Sequence, residues 1–249
     1  MTAAPRDLGR RHRLVALGGM TVALDPSGAL YWPEADTLVI SDLHLEKGSS
    51  YARRGTFLPP YDSAITLAQL ARVMARFAPG RVIALGDSFH DPMAAERLGA
   101  EERAALAGLI AGRDWIWVTG NHDPAPPTDW GGRVTESLEI AGVTFRHEPS
   151  EGGHAPEVAG HLHPVARVAG RGRALRCRCF VGCETRAVLP AFGAFTGGLD
   201  IRDPAFARLW PSPSRVRTYA LGRNQVYAIG SGSRGMSFDA AHSRESGNP

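Results

Sequence analysis

Five short stretches of this chain gather residue types that can do chemistry: "SDLHL" (Asp42, His44), "LGDSFHD" (Asp87, Asp91), "TGNHDP" (Asn121, His122, Asp123), "FRHEP" (His147) and "AGHLHP" (His161, His163). Carboxylate, amide and imidazole donors in this mixture suit divalent first-row metals such as Mn, Fe, Zn or Ni. One arrangement serves two ions: Asp87 bridges them, and each gains further ligands from its own side. Ions roughly 3.5–4 Å apart can activate a water and clamp the oxygens of an in-line displacement at phosphorus. Taken singly, each stretch has a plainer reading. Asp-x-His is by default a turn acid beside a hydrogen-bonded histidine, and Gly-Asp and Gly-Asn-His are ordinary turn chemistry. Gly-His-x-His is stronger, because paired histidines at even spacing favour a metal. The set as a whole points to a site.

Such residues need elements that bring them together. The first three stretches each follow an apolar run that reads as a buried strand: "TLVI", "RVIAL" and "DWIWV". In open α/β sheets ligands bind beyond the carboxyl ends of the strands, so Asp42, His44, Asp87 and Asn121 share one rim. Asp-x-His and His-x-His on extended backbone would direct both members of a pair to one side, roughly 7 Å apart. Upstream, the Asp-Pro-Ser-Gly and Trp-Pro-Glu-Ala-Asp turns predict strand, turn, strand, turn and buried strand. "YDSAITLAQLARVMARFAPG" has apolar residues at near-helical spacing, with Asp62 or Ser63 as its cap and Pro79-Gly80 as its stop. "AAERLGAEERAALAGLIAG" reads as the next helix. Alternating strands and helices predict βαβ units, and the short segments after about residue 133 predict a second, mainly antiparallel sheet. Residues 1–12 and 229–249 read as flexible tails around one domain, 13–228.

The five stretches resemble the signature of the calcineurin-like metallophosphoesterase superfamily: D-x-H, GD, GNH, H and GH-x-H. "SDLHLEKGSSYARRG", "LPPYD", "ALGDSFHD", "GNHDP", "GHLHP", "RCF" and "LPAFGAFTGGLD" resemble more narrowly the bacterial ligase-associated DNA damage response endonucleases of the PdeM type. The resemblance implies an α/β sandwich of two mixed β-sheets flanked by helices. It puts Asp42, His44, Asp87 and His163 around one ion, and Asp87, Asn121, His147 and His161 around the other, with Mn²⁺ the leading metal. His122 would face the substrate and protonate the leaving oxygen or steady the phosphoryl group. The superfamily often has an acid three residues after the bridging Asp. Here that position is His90 and the acid is Asp91, so the usual role of that acid in orienting the substrate-facing histidine is open. The same resemblance implies a phosphodiesterase, a DNA endonuclease for single-stranded or looped DNA, with functional association to a ligase/helicase repair system. Hydrolysis of a small phosphorylated metabolite, such as a nucleotide or lipid-sugar pyrophosphate, is the alternative.

Composition permits this and excludes other classes. The chain has 249 residues, 43% hydrophobic and 21% charged, with a net charge of +3. Lys47 is the sole lysine, and it lies with Arg53 and Arg54 in "EKGSSYARRG", which reads either as a plainly solvated charged loop or as a loop that touches substrate phosphates, where Tyr51 could stack a base. No apolar run is long enough to cross a membrane. Cys177, Cys179 and Cys183 are odd in number and clustered, which fits a reducing, cytoplasmic setting better than a disulfide framework. Alternation sends Cys177 and Cys179 to one core-facing side of a strand. His12, His154 and His242 show no partners in sequence and read as exposed.

Overall fold

The computed structural model describes residues 13–127, 129–152, 155–170, 173–210 and 212–229. The predicted tail 1–12, the predicted tail 229–249 apart from Ile229, and His12, His154 and His242 lie outside the described residues; Ile229 ends the last strand.

The first sheet runs in chain order: β1 (Arg13–Leu17), β2 (Met20–Leu24), β3 (Leu30–Trp32), β4 (Thr37–Ile40), β5 (Arg81–Leu85), β6 (Asp114–Val118) and β7 (Arg133–Thr135). β1 to β4 pair antiparallel and β4 to β7 parallel. The single strand expected before Asp-Pro-Ser-Gly is instead a hairpin, because Gly18 and Gly19 both take positive φ and turn the chain. The crossover from β4 to β5 carries α1 (Lys47–Arg53) and α2 (Asp62–Phe77); that from β5 to β6 carries α3 (Ala94–Arg97) and α4 (Ala100–Ile110). The predicted helix over 94–112 is thus two helices. It breaks at Leu98, whose ψ of 126° is extended, before Gly99.

The second sheet joins β8 (Ser137–Ile140), β9 (Val143–Arg146), β10 (Glu157–Ala159), β11 (Pro164–Gly170), β12 (Arg173–Gly182), β13 (Arg186–Val188), β14 (Leu199–Asp200), β15 (Arg217–Leu221) and β16 (Val226–Ile229). Antiparallel pairs dominate, but β9–β10, β10–β13 and β11–β14 are parallel, so this sheet is mixed as well.

Strand alternation divides the core. Leu38, Ile40, Val82, Ala84, Trp115 and Trp117 face α2 and α4, where they meet Leu70, Phe77 and Leu106. Their neighbours Val39, Ile83, Leu85, Ile116 and Val118 face the second sheet and meet Phe145, Val158 and Phe180. Both faces of β4, β5 and β6 are covered, which is why these strands read as unbroken apolar runs. Cys179 lies in a small cluster on the far side of the second sheet with Cys177 packed against it, and all three cysteines are free.

Candidate metal centre

Strand ends deliver the donors. Asp42 lies just past β4, Asp87 just past β5, Asn121 and His122 after β6, His147 directly after β9, His161 after β10, and His163 directly before β11. The pairs do not converge by the strand alternation that the sequence led one to expect. Asp42 (φ 54°), His44 (φ 44°), Asp87 (φ 47°), His161 (φ 68°) and His163 (φ 45°) are all in the left-handed region. Non-glycine residues enter that region at a cost and collect there at functional sites. The left-handed turn aims successive donors inward where a flat strand would spread them along its length.

Two candidate ligand sets result. Asp42, His44 and His163 offer atoms within 4.8 Å of one another, and so do Asp87, His147 and His161. In the first set His163 Nε2 is 3.1 Å from Asp42 Oδ1 and 3.3 Å from His44 Nε2. In the second, His147 Nε2 is 3.4 Å from Asp87 Oδ2, 3.0 Å from Asn121 Oδ1 and 3.1 Å from His161 Nδ1. Donors about 2.1 Å from a shared ion stand roughly 3.0–3.4 Å apart, so the spacing fits divalent metals. Ring nitrogens that face each other are both acceptors if neutral, and a cation between them resolves the conflict. Asp87 Oδ2 also lies 3.9 Å from His44 Nε2, which sets one carboxylate oxygen between the two groups.

Hydrogen bonds outside the donors orient them. His147 Nδ1 faces the Leu85 carbonyl at 3.0 Å; an N–H donated there leaves Nε2 free as a ligand. Asp42 accepts from the Ser41 hydroxyl and from His161 N at 3.1 Å. Asp87 Oδ1 accepts from His122 N at 2.9 Å. Two glycines of the motifs are required by close approach: a Cβ at Gly86 would lie 2.4 Å from His147 Nδ1, and one at Gly120 would lie 2.2 Å from Asp87 Oδ1.

Electrostatics favour the ionised carboxylates of Asp42 and Asp87 and the neutral rings of His44 and His161. Burial alone would raise Asp42, but His163, His147 and His44 bring it below its ordinary value. Burial likewise opposes ionisation of Asp87, yet His147 and the His122 N–H lower it to about 2. His44 falls to about 3 because burial disfavours its cation, and burial also lowers His161. His147 is the exception: burial opposes its charge, but Asp87 and Asp42 raise it to about 9.

The remaining sequence-predicted residues fall outside these two sets. His122 Nδ1 is 2.7 Å from the His90 carbonyl oxygen, and its ring stacks on that of His90. Asp91 is bound by Arg97 at 3.0 and 2.6 Å and accepts from Met93 N, so its carboxylate ties α3 to the rim while the His90 backbone orients His122. Lys47 and Arg53 begin and end α1, and Arg54 caps it, so the predicted loop is a helix. Asp62 and Ser63 do not cap α2. Asp62 Oδ2 accepts from Gly48 N at 3.0 Å, and Ser63 Oγ accepts from Glu46 N at 2.8 Å, which fixes α1 beside the site. Tyr51 faces His90 at 5.6 Å between ring centroids, with Lys47 Nζ 5.7 Å from its ring.

Two residues named in the sequence motifs without a role of their own also lie at the site. His90 Nδ1 is 3.3 Å from His44 Nδ1, and His44, His90 and His122 form a third group of converging nitrogens. Asp123 is buried; its Oδ2 accepts from Ser88 N and Phe89 N, while Oδ1 has no partner among the described residues. His90 stood in the motif itself, where a basic ring in the position of the usual acid was the available signal.

Two mixed sheets flanked by helices, with His/Asp donors converging at the strand ends, define the metallophosphoesterase-like class of α/β folds. The crystal structure of a Pseudomonas putida nuclease, MPE, matches this chain with a TM-score of 0.67 and 32% sequence identity, over 87% of this chain and 99% of that one. The chain belongs to the family of that nuclease. No family model and no curated protein matches it. Among the described residues no helix is long and apolar enough to cross a membrane.

Proposed function

We propose that this protein is a two-metal phosphodiesterase of the calcineurin-like type that cuts nucleic acid, as a DNA endonuclease on single-stranded or looped DNA in repair. The observation that carries the reading is Asp87 Oδ2, 3.4 Å from His147 of one ligand set and 3.9 Å from His44 of the other. A single bridging carboxylate is what a two-ion centre needs. Asp42, His44, Asp87 and His163 would hold one ion, and Asp87, Asn121, His147 and His161 the other; the mixed oxygen and nitrogen donors suit Mn²⁺, Fe, Zn or Ni, and the family resemblance favours Mn²⁺. When bound, the ions polarise the phosphodiester and supply a nucleophile at neutral pH.

The chain's own residues supply the rest. His122 donates a proton from Nε2 to the departing oxygen while the His90 carbonyl holds Nδ1–H. Lys47, Arg53 and Arg54 on α1 meet flanking phosphates. Nucleic acid is favoured over a small phosphorylated metabolite by the likeness to a nuclease, whereas the modest net charge of +3 speaks for the metabolite. Association with a ligase/helicase repair system rests on the sequence resemblance, and three free cysteines suit a reducing cytoplasm.

The deciding experiment gives the purified protein Mn²⁺ and three substrates: a chromogenic phosphodiester, a monoester and circular single-stranded DNA. Only an endonuclease opens the circle. Turnover of the small esters with the circle intact would replace this reading with the metabolite one.

A further inference from the structure

Beside the metal centre lies a cavity of about 250 Å³ between α2 and the segment after β13. It is tied to the ligands through backbone. Phe192 N donates to Ser41 O at 2.8 Å, Gly193 N to Asp42 O at 3.1 Å, and Leu199 N to His163 O at 3.1 Å. The packing is tight: a Cβ at Gly193 would lie 2.0 Å from Leu43 O. From α2, Ile65, Thr66 and Gln69 form the opposite wall, and Thr66 Oγ1 accepts from Ala194 N at 2.9 Å.

Three features define what this cavity takes. Arg178 lines it with one nitrogen engaged, NH1 donating to Ala191 O at 2.7 Å and Phe192 O at 3.4 Å. It has no carboxylate partner among the described residues, and burial alone lowers its pKa. A guanidinium carries five N–H donors in a fork that matches phosphate, so an anion is the missing partner. Phe195 also lines the cavity, 45% exposed, with φ 55°. A bulky residue in the left-handed region is an outlier, and such outliers gather at ligand sites. Gln69, finally, directs Nε2 to the Ser27 and Phe192 carbonyls, each at 3.3 Å, which leaves its Oε1 as an acceptor. Anion, aromatic plane and hydrogen-bonding edge together describe a nucleotide. Inorganic phosphate lacks the plane, and an aliphatic peptide lacks an aromatic face to stack on Phe195.

We propose that the cavity is a flanking-nucleotide subsite, which holds one unpaired nucleotide next to the cleaved phosphate with its base against Phe195 and its phosphate on Arg178. A base seated there has left any duplex stack, so the subsite selects single strands. The inference rests on the nuclease reading for what is cut, but binding at the subsite is measurable without cleavage.

The test uses the full chain and a fluorescent oligodeoxynucleotide with an abasic residue moved along it, bound both in chelator and with Mn²⁺. Loss of one base–aromatic stack costs about 5- to 150-fold in affinity. One abasic position should therefore weaken wild-type binding by that factor and add nothing in Phe195→Ala, while Phe195→Trp restores the effect. Arg178→Gln should weaken binding of the same strand, and the chromogenic diester should be hydrolysed within about twofold by both Phe195 variants. An abasic penalty equal in wild type and Phe195→Ala overturns the subsite, as does a parallel loss on the diester. Because Phe195 is exposed, its variants keep the test valid even if Arg178→Gln fails to fold. Protein that binds with the abasic signature but never cuts keeps the subsite and loses the nuclease reading; cutting without the signature does the reverse.

Discussion

His122 meets the ring of His44 edge-on at 5.0 Å and stacks on His90 at 5.1 Å between centroids. Its Nδ1 is committed to a backbone carbonyl, so the proton it can give sits on Nε2. General acid catalysis is worth about 10²–10⁴-fold, and His122→Ala should lose about that factor on diesters with poor leaving groups. A nitrophenolate leaves without much help, so the loss there should be smaller. Elemental analysis should find both metals retained; a missing ion would make His122 a ligand of the His44–His90–His122 group instead. At this scale the sequence showed which residues come together more clearly than how they point. Asp42 and His44 were legible from their spacing, but their left-handed backbone was not, because nothing in Asp-Leu-His marks a positive φ. Asp123 was visible in its motif but without a role, for a related reason: a buried acid and a turn acid look alike until the Ser88 and Phe89 amides close on it.

At the scale of elements, α1 illustrates how tertiary contacts override local signals. Gly48, Ser49 and Ser50 are weak helix formers, and "EKGSSYARRG" reads naturally as a loop. Asp62 and Ser63 hold its start from the next helix, and a Cβ at Gly48 would lie 2.6 Å from Asp62 Oδ1. The residues that looked like a cap for α2 are therefore the anchor of α1, a choice that sequence alone leaves open because both uses need the same side chains. If Lys47, Arg53 and Arg54 meet phosphates, changing all three to Ala should weaken single-strand binding and lower the slope of log K against log salt by about 0.7 per lost contact. Hydrolysis of a small diester should change far less. Equal losses on both substrates would mean that α1 supports the metal centre, and unchanged DNA affinity would leave these cations merely solvated.

Over the whole molecule, the layered order was legible because both faces of β4, β5 and β6 are apolar, whereas the mixed character of the second sheet was legible only through the family resemblance, because strand direction there is set by long connections. The sandwich closes over a dense group of charges, and that has a consequence for stability. Asp123 is buried next to the Asp87 charge, and burial first and Asp87 second raise it to about 7, against the pull of two backbone N–H groups. Between about pH 4 and pH 7 the folded chain thus holds a proton that the unfolded chain has lost. Linkage then makes stability fall as pH rises through this window, with the favourable contribution present below about 4 and gone above about 7. The slope for one such group approaches about 1.4 kcal/mol per pH unit. Urea midpoints of chelator-treated protein at several pH values should show Asp123→Asn gaining on wild type as pH increases. Adding Mn²⁺ should shrink the difference, because a dication beside Asp87 favours the charged carboxylate. Parallel curves for the two proteins in chelator would show that Asp123 ionises freely in the fold, and a difference unmoved by metal would separate Asp123 from the ligand sets.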